Sequence, residues 1–309
     1  MKTVKTPSLL SRVGKDLYTN KTVYFLLLPV VAYYIIFHYV PIYGIQIAFK
    51  NYSPGRGIMR SPWAGFTHFI SFFESYYFRR LLYNTIVISL MDIIFGFPAP
   101  IILALLMNEV RNRKFKRSIQ TITYLPHFIS MVVLCGMIVD FTTTDGVINS
   151  VLSFFGITPV AFLLEPNLFK PIVVSSGIWQ EIGWGSIIYM AALAGVDQEL
   201  YEAATIDGAN KWKQVIHVTI PSILPTIVIM LILRCGRLMD VGSEKILLLY
   251  NPITYETGDV ISTFIYRKGL LDMSYSYSAA VGLFNSVINF LMLVSVNRIS
   301  KKLSESSLW

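Results

Sequence analysis

From Thr22 to Phe49 the chain runs for 28 residues without an Asp, Glu, Lys or Arg. A run this long and apolar has few stable destinations. It exceeds the roughly 7–15 apolar residues of a signal-peptide core and passes the roughly 20 that a helix needs to cross the hydrocarbon of a bilayer. It is therefore expected to be a retained anchor. The rest of the chain repeats the theme. Of 309 residues, 54% are hydrophobic and 14% charged, against about 25% charged in soluble domains. The mean hydropathy is +0.57. An integral membrane protein is expected.

Six spans are read: Val23–Tyr43, Leu82–Met107 with one charge at Asp92, Ser118–Val139, Pro171–Ala194 with Glu181 inside it, Ser222–Leu238 ending in Arg234 and Arg237, and Ser276–Val296. The fold class expected is all-α, a bundle of six transmembrane helices. Prolines such as Pro98, Pro100 and Pro225 are expected to kink spans, which membrane helices tolerate where neighbours satisfy the freed carbonyls.

The net charge of +8 does not imply nucleic acid, because the basic residues sit beside apolar runs, where lipid head groups and topology explain them. Lys2, Lys5, Arg12, Lys15 and Lys21 precede span one, five basic residues fall within 111–117, and Arg298, Lys301 and Lys302 follow span six. The positive-inside bias places both termini and the second and fourth connections in the cytoplasm. Lys50, Arg56, Arg60, Arg79 and Arg80 of the first connection oppose this, but they are more widely spaced. In that connection "GFTHFISFFESYYFRR" reads as an amphipathic helix at the outer interface, where aromatic rings are stable, or packed on the bundle. The domain reading is a cytoplasmic segment 1–22, a transmembrane domain 23–297 and a cytoplasmic tail 298–309.

No catalytic set is visible. His38, His68, His127 and His217 lie in different segments without zinc spacing, and no metal site is expected. Cys135 and Cys235 sit in apolar runs and read as reduced packing residues. Gly14–Lys15 has Leu9 where a phosphate-binding loop needs glycine. ATP, if used, is hydrolysed by another subunit.

Between spans four and five stands "EAATIDGANKWKQVIHVTIP". It reads as a helix from Gln198 to Asp207, a turn at Gly208, a second helix through Val218, and a restart at Pro221. A polar hairpin of this kind suits docking into a partner's groove. It resembles the EAA signature of importer-type ABC permeases: Glu202, Ala203, Ala204, three residues, Gly208, nine residues, then Val218, Thr219, Ile220 and Pro221 in place of Ile-x-Leu-Pro. "TYLPHFIS", "IWQEIGWGSIIYMAALAGVDQELYEAA" and "LLLYNP" are similar to oligosaccharide permeases of the maltose-type uptake class, most of all those serving alginate, aldouronate and other polysaccharide fragments. An aromatic stretch resembling the family's loop before span two here begins Arg60, Ser61, Pro62, Trp63. Ser243 departs from the pattern, standing where many relatives have Phe before Glu244.

The resemblance implies a permease subunit of an ATP-driven importer, not an enzyme, in a bacterial cytoplasmic membrane. It implies a second, different permease chain, two ATP-binding subunits holding ATP and magnesium, and an extracytoplasmic binding protein that delivers the sugar; no cofactor is expected in this chain. Glu202, Ala203, Ala204, Asp207, Gly208, Ala209, Trp212 and Pro221 would form the ATPase-coupling hairpin, about 197–221, with Ile206, Val215 and Ile216 anchoring it to the spans. Sugar contacts in this class lie in span four, at the run Trp179, Gln180, Glu181 and Trp184; the alternative for the tryptophans is interface packing.

Arg234, Arg237, Asp240 and Glu244 fall roughly on one helix face. Either Arg237 pairs with Asp240, or the guanidiniums receive uronate carboxylates. Asp92 and Asp140 read as helix–helix hydrogen-bonding groups, while Asn285 and Asn289 are open to either role. The competing readings are a non-sugar ABC cargo, an ion-coupled secondary transporter, for which no inverted repeat is visible, and a membrane scaffold or intramembrane enzyme.

Overall fold

The computed structural model describes residue 16 and residues 18–304. The expected segment 1–22 falls largely outside them, as does the end of the expected tail. Helix α1 is Lys21–Phe49, short helix α2 is Thr67–Phe73, and α3 is Tyr76–Glu109. Then come α4, Arg113–Tyr124; α5, Met131–Thr142; α6, Val147–Phe154; and α7, Pro166–Ala194. The chain continues with α8, Gln198–Ile206, α9, Lys211–Cys235, and α10, Ser243–Leu249. It ends with α11, Ile261–Tyr266, and α12, Tyr275–Ser304. Among the described residues there is no strand, only an isolated bridge between Lys50 and Trp63.

Among the described residues five stretches are long and apolar enough to cross a membrane: α1, α3, residues 131–154, α9 and most of α12. Helix α7, 29 residues long, covers the fourth expected span but is not among the five; it carries Lys170, Gln180 and Glu181. The third expected span, Ser118–Val139, is corrected. Asn112 caps α4 by accepting from the Lys114 and Phe115 amides. A tight turn at Leu125–Phe128 then ends it, and Ser130 caps a fresh helix at Met131. Both caps satisfy amides left open at a helix start, so the apolar material shifts toward residue 154.

Several prolines follow wider turns, whereas Pro225 sits inside regular helix. Three of the π-helical turns among the described residues, Ile35–Tyr39, Asp92–Gly96 and Val215–Thr219, each close two residues before a proline: Pro41, Pro98 and Pro221. A proline ring clashes with the carbonyl four residues back; widening the preceding turn gives it room. Pro221 therefore does not restart the chain. The second arm of the hairpin runs unbroken into α9.

The expected outer amphipathic helix is two elements, α2 and the start of α3, joined at Ser75, whose hydroxyl accepts from the Tyr77 amide. Phe72 is buried in a cluster with Leu81, Met239, Ile261, Phe264 and Val281, so the stretch packs on the bundle. A second cluster joins Ile88 of α3, Leu134 and Ile138 of α5, Phe169 and Val173 of α7, and Ile246 of α10. A third joins Ala104, Tyr189, Leu193 and Ile223. Burying these side chains is the main favourable contribution to packing outside lipid contact.

Two polar features tie the helices together. Asp259 is fully buried and accepts from Arg267 at 2.6 and 3.2 Å, from Arg80 at 3.3 Å and from Thr263 at 2.8 Å. The Asn84 amide of α3 reaches the Asp259 backbone carbonyl at 3.0 Å. Gly183 of α7 meets α4 so closely that a Cβ there would lie 2.1 Å from the Thr123 carbonyl oxygen. Small residues permit such backbone approach between membrane helices. Gly183→Ala is expected to destabilise the protein by about 1–3 kcal/mol, read as a lower thermal unfolding temperature in detergent. Gly195→Ala, whose Cβ would meet its nearest neighbour at 3.5 Å, is expected to leave it nearly unchanged.

Candidate functional site

Helix α9 ends at Cys235, and the chain is not helical again until Ser243. The expected alignment of Arg234, Arg237, Asp240 and Glu244 on one helix face is therefore corrected: only Arg234 lies on α9. The glycines explain the break. Gly236 follows the last helical residue, and Gly242 holds φ +28° ahead of α10, a region that favours glycine.

The irregular segment is held from both sides. The Leu238 carbonyl accepts from the Ser89 hydroxyl of α3. The Met239 amide donates to Asn289 Oδ1 of α12 at 2.8 Å. Asp240 accepts from Asn285 at 2.9 Å and Asn289 at 3.1 Å. Asn285 and Asn289 thus join α12 to the irregular segment, and Asp240 is held by amides and not by Arg237. Arg234 grips Asp92 with two bonds, 2.8 Å from Nε and 2.5 Å from Nη2, the bidentate geometry in which arginine is strongest. Asp92 thus joins two helices through an ion pair.

Around this segment lies a cavity of about 310 Å³. Its wall brings together Gln180, Glu181, Arg234, Arg237 and Asp240 of the expected sugar site, with Asp92, Ser89 and Lys245. Trp179 and Trp184 do not line it and are roughly half-exposed. Trp184 stacks on His127 at 4.4 Å with rings almost parallel, and His127 Nδ1 lies 3.1–3.2 Å from the Glu181 carboxylate. The run read as one site is therefore divided: an amide and a carboxylate on the cavity, two rings outside it. Lys245 was not anticipated. Its signal was a lone lysine ahead of Ile246, Leu247, Leu248 and Leu249, an arrangement that costs free energy in an apolar setting and marks a candidate site.

At the other end, α8 and the start of α9 form a helix–turn–helix. Asp197 caps α8, Gly208 turns with φ +75°, and Asn210 caps the next helix. The expected apolar anchors are corrected. Ile206 is 86% exposed and Ile216 half-exposed, while Val215 is half-buried. The pair is instead tied internally by polar groups: buried Gln214 donates to the Thr205 hydroxyl at 2.9 Å, and Tyr201 bonds Thr219 at 3.0 Å. Lys211 lies 3.6 Å from Glu109 at the end of α3. Glu202, Ala203, Asp207, Gly208, Trp212 and Pro221 are exposed, with Ala204 and Ala209 half-buried. Trp212 is 72% exposed. A cleft of about 540 Å³ opens between Leu200, Ala203, Ala204, Asp207, Ala209, Lys213 and His217.

Long apolar helices around a cavity lined with charged and amide groups are the architecture of a membrane permease. The chain belongs to the family of binding-protein-dependent transport system inner membrane components, whose model matches residues 96–305; its members are transport components and not enzymes. It is 43% identical to protein LplB of Bacillus subtilis (strain 168), over 94% of this chain and 92% of that one. It is 41% identical to the polygalacturonan/rhamnogalacturonan transport system permease protein YteP of the same organism, over 94% and 91%. A solved bacterial alginate ABC transporter, in complex with an alginate pentasaccharide-bound periplasmic protein, contains a chain 42% identical that superposes with TM-score 0.89, over 96% of this chain and all of that one.

Asn289 serves both the Met239 amide and Asp240. Asn289→Leu is expected to cost about 1–3 kcal/mol, the usual penalty for stranding buried partners, measured as a fall in thermal unfolding temperature. An unchanged temperature would show that the irregular segment does not depend on this side chain.

Proposed function

We propose that this chain is a permease subunit of an ATP-driven ABC importer that moves oligosaccharides, acidic ones foremost, across the bacterial inner membrane. The observation that carries this is the likeness, over nearly the whole chain, to the permease of an alginate importer and to a polygalacturonan/rhamnogalacturonan permease. The cavity agrees with it in kind, offering three cationic side chains and an amide to carboxylates and hydroxyls. Gln180, Glu181, Arg234, Arg237 and Asp240 are its sugar-facing residues in this reading, with Trp179 and Trp184 on the adjoining surface.

The partners follow from the same likeness: a second permease, two ATP-binding subunits and an extracytoplasmic binding protein. The exposed apolar length of α1, with Phe25, Leu26, Phe37 and Val40 all at least 60% exposed, suits lipid and a second permease. The helix–turn–helix at 197–221 is the coupling element. Glu202, Ala203, Ala204, Asp207, Gly208, Ala209, Trp212 and Pro221 face the ATPase, and exposed Trp212 and Ile206 supply the apolar contact that a partner's groove requires. Its polar ties to itself and to α3 make it stiff enough to pass a rigid-body motion into α7 and α9.

We read α7 as the sixth span. At 1.5 Å per residue its 29 residues extend about 40 Å, and its Gln180 and Glu181 face the cavity while Lys170 lies over the Tyr83 ring of α3. Both termini then lie in the cytoplasm. The opposing charges of the first connection weigh less than their number suggests: Lys50 is buried and donates to the Ile58 carbonyl at 2.8 Å, and Arg80 is held by Asp259.

In the reconstituted complex, Glu202→Ala is expected to reduce ATPase stimulation by sugar-loaded binding protein about tenfold or more, leaving assembly detectable by co-purification. Stimulation equal to wild type would remove Glu202 from the coupling role. For orientation, Glu202→Cys is expected to react with a membrane-impermeant maleimide only from the cytoplasmic face, and Phe155→Cys only from the outer face. Both native cysteines are buried, so the background is low. Labelling of both from one side would overturn the six-span reading.

A further inference from the structure

The cavity wall carries six charges, Asp92, Glu181 and Asp240 against Arg234, Arg237 and Lys245. Four of them are already engaged. Asp92 and Arg234 hold each other, Asp240 is bound by two asparagines, and Glu181 contacts His127. Arg237 is exposed to water. Lys245 makes no direct bond of this kind, and Glu181 and Asp92 attract it only at longer range. The residue is 5% exposed, and its ammonium takes part in none of the ion pairs or hydrogen bonds among the described residues. Lysine is almost never so enclosed without a partner, because an isolated buried charge is costly.

What lies opposite is informative. A Cβ added at Gly177 would sit 3.6 Å from Lys245 Nζ, so the ammonium rests against a notch in α7 left by that glycine. One turn further along α7 is Gln180, itself 6% exposed, its amide engaged in no side-chain hydrogen bond, and lining the same cavity. Two enclosed polar side chains, a cation and an amide, thus share one wall with their hydrogen-bonding capacity free. The volume, about 310 Å³, is at the small end of ligand pockets of about 300–1,000 Å³ and suits a sugar ring better than a folded chain.

We propose that Lys245 and Gln180 form a carboxylate-and-hydroxyl subsite in the pathway: Lys245 takes the carboxylate of a passing uronate ring and Gln180 a neighbouring hydroxyl. The proposal rests on the reading of the chain as an acidic-sugar permease and identifies the selecting cation as Lys245 instead of Arg234. Arg234 would first have to release Asp92. Lys245 has no direct bond to break, only the longer-range attraction of Glu181 and Asp92, and an arriving carboxylate offsets the cost of its enclosure.

The test uses the complete importer in liposomes, with its ATPases and binding protein, and labelled trigalacturonate as probe. Accumulation and ATPase activity are read together. Lys245→Met keeps the volume and removes an unpaired buried charge, a change that does not threaten folding. Its trigalacturonate uptake is expected to fall about tenfold or more, while the ATPases still co-purify with it, which shows that the complex is assembled. Lys245→Arg is expected to restore most of the uptake, and Gln180→Leu to lower it by a smaller factor. If wild type accumulates trigalacturonate and Lys245→Met does so equally well, the subsite is wrong and the transport reading stands. If wild type accumulates neutral oligosaccharides but no trigalacturonate, the acidic-sugar reading fails and this proposal with it.

Discussion

An open backbone group inside a membrane protein has no bulk water to turn to, and this constraint organises the structure around residues 236–242. A chain that leaves the helix among apolar neighbours must find partners for its amides and carbonyls from the surrounding protein. Here they come from two directions: the Ser89 hydroxyl of α3 reaches the Leu238 carbonyl, and Asn289 of α12 takes the Met239 amide. The irregular segment is consequently a joint at which α3, α9, α10 and α12 are mutually fixed. The cavity lies beside this break, which contributes Arg237 and Asp240 to its wall, while Asp92, Glu181, Arg234 and Lys245 come from the surrounding helices.

The charges obey a related economy of placement. Asp259 is the most enclosed carboxylate in the described bundle, and it is surrounded by Arg80, Arg267 and Thr263. Buried ion pairs of this kind contribute little net stability, but losing one partner strands the other. Their effect is to fix which elements meet, here the start of α3 with α11 and the turn after it. Asp92 and Arg234 do the same between α3 and α9, in a half-exposed setting where solvent weakens the attraction.

Much of this was legible in the sequence, for physical reasons that differ by element. Span content depends on long apolar runs, and α1, α3, α9 and α12 follow them closely. The EAA spacing is carried by several residues at set distances, and the local helix–turn–helix turns at Gly208, the residue chosen for it. What escaped was decided by contacts between distant segments. The third span moved because Asn112 and Ser130, unremarkable in sequence, cap helices. The apolar Ile206 and Ile216 turned outward because Gln214 and Tyr201 hold the hairpin. The division of Trp179, Gln180, Glu181 and Trp184 into two surroundings involves His127, which lies on the turn after α4 and stacks on Trp184. Lys245 was visible as a lysine, after Glu244, at the head of an apolar run, yet only the enclosure of its side chain gives it weight.

The π-helical turn at Asp92–Gly96 has a bearing on how such helices can change length. A turn of this type holds one residue more than regular helix requires, so everything beyond it is advanced by about 100° around the axis relative to an uninterrupted helix. Asp92, which meets Arg234, stands at its first position. Removing a single residue within the turn would give a straighter, more regular helix and at the same time rotate one half of α3 against the other. Asp92 and the Ala104 face packed on Tyr189 could then no longer both meet their partners. The irregularity acts as a phase shifter between the two halves of one rod.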